Sequence, residues 1–236
     1  MKTIAMIPAR YAATRFPFKL MQPLGSKTVI RHTYDNTVAT GLFDDVFVVT
    51  DHKIIYDEIT ANGGKAIMSL REHESGSDRI AEAIADMDVD IVLNVQGDEP
   101  FVNAHMLKKL LDVFEDDDDK KIKVASPVKK ILNTAHAANP NIVKVVVDKH
   151  MNSLLFSRSV IPFYYEHVGV YAFRKEALLL FTVWEMTPLE KAEKIECLRY
   201  LEHGIQLRMV ETEDAGVKID MPEDLAKAEA YLKNML

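Results

Sequence analysis

Arg10, Arg15 and Lys19 fall in one stretch, IPARYAATRFPFK, directly behind the first apolar run of the chain. Cations gathered in one loop can hold a polyanion, the guanidinium groups as bidentate forks and the ammonium as a point charge. The plain alternative is a solvated surface turn. Further on, Gln96-Gly97-Asp98-Glu99-Pro100 places a carboxylate pair behind another apolar run, and Asp220 in Lys218-Ile219-Asp220-Met221-Pro222 is a candidate partner for Asp98. Magnesium favours one or two carboxylates plus phosphate oxygens, so this pair suffices for it. Taken singly, Asp98 reads at least as well as a helix or turn cap, and Asp220 as an N-terminal helix cap before Pro222. His73-Glu74-Ser75-Gly76-Ser77-Asp78-Arg79 supplies a turn whose backbone can approach a base and whose Ser77 can cap a following helix.

These residues need elements to bring them together. Strand-like runs occur at Ile4–Ile7, Val46–Val49, Ala66–Met68, Ile91–Val95, Val124–Val128 and Val143–Val147. Helix-like segments separate the first four: Lys27–Thr40 ending at Gly41, His52–Ala61 ending at Asn62-Gly63-Gly64, and Ser77–Ala85. Continuous apolar strands alternating with helices predict an α/β fold, a mostly parallel central sheet with helices on both faces. In such sheets ligands sit outside the carboxyl ends of strands, where the charged loops fall. Thr187-Pro188-Leu189-Glu190 predicts a capping box opening a helix to about His203, closed by Gly204. A last helix follows Pro222, with Leu225, Ala228 and Leu232 on one face. The acidic run Glu115–Asp119 reads as a solvated turn.

The 236 residues suit a single domain, 1–236, and 29 Lys+Arg against 36 Asp+Glu give a net charge of −7. That balance opposes nucleic-acid binding, which draws on an extended basic face. A single cysteine, Cys197, excludes an intrachain disulfide and fits a reducing cytoplasm. The opening MKTIAMIP is too short for a secretory core and reads as a strand, and no apolar run is long enough to span a membrane. After its first strand the chain lacks G-x-G-x-x-G, the phosphate turn of a dinucleotide-binding dehydrogenase.

The segments IPARYAATRFPFK, ESGSDR, NVQGDEP and FSRSVIP, in that order and followed by Asp220-Met221-Pro222-Glu223-Asp224-Leu225, resemble the 3-deoxy-manno-octulosonate (Kdo) cytidylyltransferase family. The resemblance implies a Rossmann-like nucleotide-sugar transferase fold in which residues of about 130–215 supply a sugar-binding and dimerisation subregion. It implies that CTP and Kdo give CMP-Kdo and pyrophosphate for lipopolysaccharide, with Mg2+, in a homodimer. On matching positions, Arg10, Lys19 and Asp98 are catalytic, and Pro8, Ala9, Arg10, Arg15, Lys19, Ser75, Gly76 and Arg79 bind the nucleotide. Gln96, Arg158, His167, Tyr171, Glu196 and Cys197 contact the sugar, His167 and Tyr171 from one face of a strand. Asp98 and Asp220 hold metal in a two-metal arrangement.

The chain departs from the family pattern at several points. Phe18 stands where glycine is usual, and glycine there permits a positive φ or a close approach to phosphate. Ala13 replaces serine, Leu20 proline, Ser26-Lys27-Thr28 a Gly-Lys-Pro, and Lys218 a second glycine. Cys197 replaces glutamine and removes an amide, and the segment Phe163-Tyr164-Tyr165-Glu166 is short. A changed pocket fits another 2-keto acid sugar such as an 8-amino-Kdo. A catalytically silent nucleotide-binding relative is the third reading, and the retained Lys19, Asp98 and Asp220 oppose it.

Overall fold

The computed structural model describes residues 1–12, 16–73, 75–131, 137–162, 164–213 and 217–235. Two compact units divide the chain, Met1–Ala104 with Gly216–Leu236, and His105–Ala215.

In the first unit β1 (Thr3–Ala9) is apolar and buried along almost its whole length, as a strand covered on both faces must be. A 3-10 turn (Lys19–Met21) and a ribbon of β2 (Pro23–Leu24) with β3 (Lys27–Thr28) lead into α1 (Val29–Ala39). Then come β4 (Asp45–Thr50), α2 (Lys53–Ala61), β5 (Ala66–Met68), α3 (Gly76–Ile84) and β6 (Ile91–Asn94). The strands run parallel in the order β5-β4-β1-β6, which bears out the α/β expectation here. The helix expected from Lys27 starts at Val29, because Lys27 and Thr28 pair in the ribbon and the Thr28 hydroxyl accepts from Arg31 N. Gly41 and Gly63 take the left-handed conformation expected after α1 and α2, at φ 66° and 79°.

α4 (Ala104–Glu115) opens the second unit and buries Met106, Leu107, Leu110, Leu111 and Phe114, one helical stripe. The following acidic run departs from the solvated turn expected of it at one residue. Asp117 accepts from Ile122 N and Lys121 N and pairs with Arg174 at 2.9 Å. Arg174 and these backbone donors hold the Asp117 carboxyl below its usual range against the cost of its burial.

β7 (Val124–Lys130) is the hub of this unit, joined by β8 (Lys144–Val147), β9 (Ser153–Ser157), β10 (Tyr165–His167) and β11 (Tyr171–Arg174). β10 and β11 pair antiparallel with β7, β8 pairs antiparallel with β10, and β9 with β8. His167 and Tyr171 thus sit on two strands, not the one expected. The Ser126 hydroxyl faces the carbonyls of Val170 and Val168 at 2.7 and 3.2 Å, supplying a donor in the break between those strands.

α5 (Lys175–Val183) precedes α6 (Pro188–Glu193) and α7 (Leu198–Glu202), and β12 (Arg208–Glu211) closes the unit parallel to β7. The single helix expected from Pro188 to His203 is therefore broken, with Lys194 left-handed at φ 57°. Tertiary bonds offset the lost helical ones. The Glu193 carboxylate accepts from the Ser157 hydroxyl and Arg158 N, and its carbonyl from Arg158 Nε.

Across the break, Arg199 grips Glu190 through two 2.7 Å bonds, with both side chains buried. Its Nη1 also donates to the Phe181 carbonyl at 2.9 Å. Arg199→Ala strands a buried carboxylate, so the expected loss is about 3–5 kcal/mol of stability, read as a fall in the denaturant midpoint. A loss under about 1 kcal/mol would place this pair among ordinary surface pairs. The chain returns to the first unit with α8 (Pro222–Met235), which buries Ala228 and packs Tyr231 on Phe101 at 4.6 Å.

Candidate active site

The strand ends of the first unit converge. β1 and β6 are parallel in register from Thr3 opposite Ile91 to Met6 opposite Asn94, so the loops behind them leave by the same edge. Gly97 lies so close to β1 that a Cβ there would come within 3.1 Å of the Pro8 carbonyl. Gly76, the first residue of α3, would meet the Pro8 ring at the same distance. Pro8 and Ala9 at the end of β1, Gly76 at the start of α3, and Gly97 and Asp98 in the loop behind β6 are thereby brought to one place.

Asp98 and Asp220 meet there around Lys19. Lys19 Nζ lies 2.5 Å from Asp98 Oδ2 and 3.4 Å from Asp220 Oδ1. Two backbone devices hold the carboxylates in place. Ile219 N donates to the Asp98 carbonyl at 2.9 Å, tying the two segments together. The Asp224 carboxylate accepts from Asp220 N and Met221 N, fixing the backbone that carries Asp220. Asp98 is no turn cap, for Oδ2 faces Lys19 and the buried Oδ1 has no partner among the described residues. A buried carboxylate oxygen without a donor is costly in an all-protein site and suits a hard cation. Among the described residues no group of three or more His, Cys, Asp or Glu could hold a metal, so a cation here needs ligand oxygens as well.

Lys218 Nζ stands 3.9 Å from Asp98 Oδ2. Burial raises the neighbouring Glu99 carboxyl to about 7, with Lys218 pulling it down and Asp98 pushing it up. Glu99 is therefore about half ionised at neutral pH, whereas an unperturbed glutamate would be fully charged.

Other sequence-predicted residues divide into those that support the loops and those open to a ligand. Arg10 is exposed just past β1, and Arg15 lies outside the described residues. Arg79 is buried, donating to the Ala9 carbonyl at 2.9 Å and to Asp51 at 2.8 Å, so its fork fixes the end of β1. Ser75, rather than the expected Ser77, caps α3, accepting from Asp78 N and donating to the Asp78 carboxylate. Ser77 is buried in the first turn of the helix. Gln96 donates to the Asn94 side chain. Asp51, missed from sequence, holds both Arg79 and Tyr11 N. It stands one residue past β4, where the strand-end rule that picked out Asp98 would have found it.

Phe18 takes the conformation its usual glycine would allow, φ 56° and ψ 24°. Its ring packs on Tyr11 at 4.7 Å, and Tyr11 stacks on His52 at 4.0 Å. Aromatic contact here stands against the backbone cost of that φ, about 1–2 kcal/mol.

A second constellation lies in the second unit. His167 and Tyr171 touch at 5.3 Å. His167 Nε2 is 2.8 Å from the Ser126 hydroxyl, which also lies within hydrogen-bond distance of the Val168 and Val170 carbonyls. Burial first, then Cys197 and Glu196, push the Tyr171 phenol well above its ordinary range. Cys197 is buried with its thiol on Tyr171, a position that supports the tyrosine, and burial raises its pKa strongly. Arg158 binds the Glu193 end of the same segment.

A parallel α/β unit with an ammonium and two carboxylates at its strand ends has the parts of a nucleotidyltransferase. Residues 4–212 match the cytidylyltransferase family. Over the whole of both chains the sequence is 59% identical to the 3-deoxy-manno-octulosonate cytidylyltransferase of Flavobacterium johnsoniae. It is 52% identical to that of Christiangramia forsetii over 98% of this chain and 97% of the relative. A solved CMP:2-keto-3-deoxy-manno-octonic acid synthetase complexed with CTP superposes with a TM-score of 0.95 at 36% identity, covering both chains fully. The chain belongs to the 3-deoxy-manno-octulosonate cytidylyltransferase family.

Proposed function

We propose that this chain transfers CMP from CTP to Kdo, releasing pyrophosphate and supplying CMP-Kdo for lipopolysaccharide. The observation that carries this reading is the meeting of Lys19, Asp98 and Asp220, with one buried Asp98 oxygen turned to no donor among the described residues. The names of the relatives and the CTP complex of the similar structure support it.

In the proposed reaction the anomeric hydroxyl of the sugar attacks the α-phosphorus in line. The new O–P bond forms as the bond to the pyrophosphate oxygen breaks, and the hydroxyl proton passes to solvent. Lys19, Arg10 and Arg15 carry positive charge to the phosphates and to the leaving group, where negative charge grows. Asp98 and Asp220 would hold magnesium, which neutralises phosphate charge and acidifies the attacking hydroxyl. Gly76 and Gly97 leave backbone close to Pro8, without side chains to crowd the loop ends. Arg158 supplies a fork for the sugar carboxylate, and His167, Tyr171 and Glu196 its polar neighbours.

The protein works in the cytoplasm as a homodimer in this reading. Exposed Leu154, Leu155 and Val160 in the second unit are apolar surface suited to a partner copy, and Tyr164 and Tyr165 are half-buried. Among the described residues no helix is long and apolar enough to cross a membrane. A second substrate, another 2-keto acid sugar such as 8-amino-Kdo, draws support from Cys197, whose thiol offers no amide to a sugar hydroxyl.

A pyrophosphate-release assay with CTP, magnesium and a panel of acid sugars tests the reading. The expected result is fastest release with Kdo and none after EDTA treatment. Release with 8-amino-Kdo alone would favour the second substrate. Equal release without any sugar would overturn both.

A further inference from the structure

The side chain of Lys144, on β8, is fully buried, yet among the described residues it pairs with no carboxylate. Its Nζ donates to the carbonyls of Asn139 at 2.9 Å, Ile142 at 3.1 Å and Arg158. Three carbonyls match the three hydrogens of an ammonium, whereas a neutral amine would turn a lone pair against one of them. Burial, and the charge of Arg158 beside it, push the lysine pKa down, while Glu193 pulls it up. A buried charge kept at that cost needs a reason.

The bonds form a closed circuit. Lys144 ties down both ends of the 139–142 loop, and the two carbonyls inside that loop, Pro140 and Asn141, each stand 3.3 Å from Arg158 Nη1. Glu193 holds the other side of the same arginine, its carboxylate on Arg158 N and its carbonyl on Nε. Arg158 is thereby gripped at its carbonyl, its amide, Nε and Nη1, and among the described residues nothing accepts from Nη2. An arginine left to itself keeps about 2 kcal/mol of rotamer freedom. Here that freedom is spent before any ligand arrives, which is the economy of a preorganised binding fork.

We propose that Lys144 and Glu193 are positioning residues for the acid sugar: they hold Arg158 with its Nη2 edge presented to the sugar carboxylate. This rests on the reading above that Arg158 meets that carboxylate. Neither residue touches the substrate, and both act through the arginine.

Steady-state kinetics with Kdo varied at saturating CTP test it. Lys144→Met keeps the apolar stem and removes the donors. Its expected effect is a rise of about tenfold or more in KM for the sugar, with KM for CTP and kcat within about twofold. Arg158→Ala should raise the sugar KM further. In the Arg158→Ala background Lys144→Met should add less than about twofold, because its route to the sugar is gone. Glu193→Gln, which leaves Lys144 and its carbonyls intact, should raise the sugar KM alone. It carries the test if Lys144→Met loses its cooperative melt. An unchanged sugar KM in Arg158→Ala would overturn the carboxylate reading itself. A raised KM in Arg158→Ala, together with unchanged values in Lys144→Met and Glu193→Gln, or a full extra effect of Lys144→Met in the double variant, would overturn only the positioning role.

Discussion

Asp98→Ala should lower kcat for pyrophosphate release by about 1,000-fold, equivalent to about 4 kcal/mol at the transition state. The size follows from what the side chain does. Its Oδ2 lies 2.5 Å from Lys19, and its Oδ1 is buried without a donor among the described residues. One substitution therefore removes the deepest anionic ligand of the proposed cation and the partner that orients the ammonium. The fold should survive, because the bond that ties this loop to the Asp220 segment runs from Ile219 N to the Asp98 carbonyl, not to its side chain. Asp98→Asn separates charge from shape, and a loss close to that of alanine assigns the effect to charge. Rates near wild type in both variants, in a protein that melts normally, would remove Asp98 from the chemistry.

Lys19→Met should lower kcat/KM for CTP by about 100- to 1,000-fold, as the loss of a preorganised charge facing phosphate does. A second consequence has the opposite sign. Lys19 Nζ already occupies Asp98 Oδ2 and Asp220 Oδ1, so in the proposed site a divalent cation would have to compete with the ammonium for them. Without Lys19 those carboxylates repel each other and attract magnesium more strongly. Magnesium alone should therefore raise the melting temperature of Lys19→Met more than that of wild type. Lost activity with an unchanged magnesium effect would mean that the carboxylates do not share a cation.

Much of this site could be read from the sequence because the fold rule is simple. Parallel strands deliver their loops to one edge, so charged residues directly behind apolar runs at Ile4–Ile7 and Ile91–Val95 were bound to meet. Phe18 was legible only in part: the glycine usual there permits a positive φ or a close approach to phosphate, a side chain makes both harder, and the phenylalanine takes the positive φ all the same. What stayed hidden depended on tertiary partners. Ser75 and Ser77 are both fit to cap α3, and only the Asp78 contact decides between them. The periodicity from Pro188 to His203 is helical throughout, yet bonds from Ser157 and Arg158 to Glu193 end α6 early. Asp117 sits in a run of acids that looks solvated, and Arg174, far along the chain, draws it in. Arg79 shows the limit most clearly: a cation beside a nucleotide-like turn reads as a ligand contact, and the structure turns it inward to Ala9 and Asp51. Charge placement follows local sequence, but which charge is left over for a ligand follows from pairs distant in the chain.

Mass spectrometry of the product is the most direct check on the central claim. The purified chain is incubated with CTP, magnesium and Kdo, and the account predicts one species whose mass equals Kdo joined to a single CMP, with pyrophosphate released in equal amount. Unmodified sugar beside free CMP, or a product carrying more than one phosphate, would contradict it.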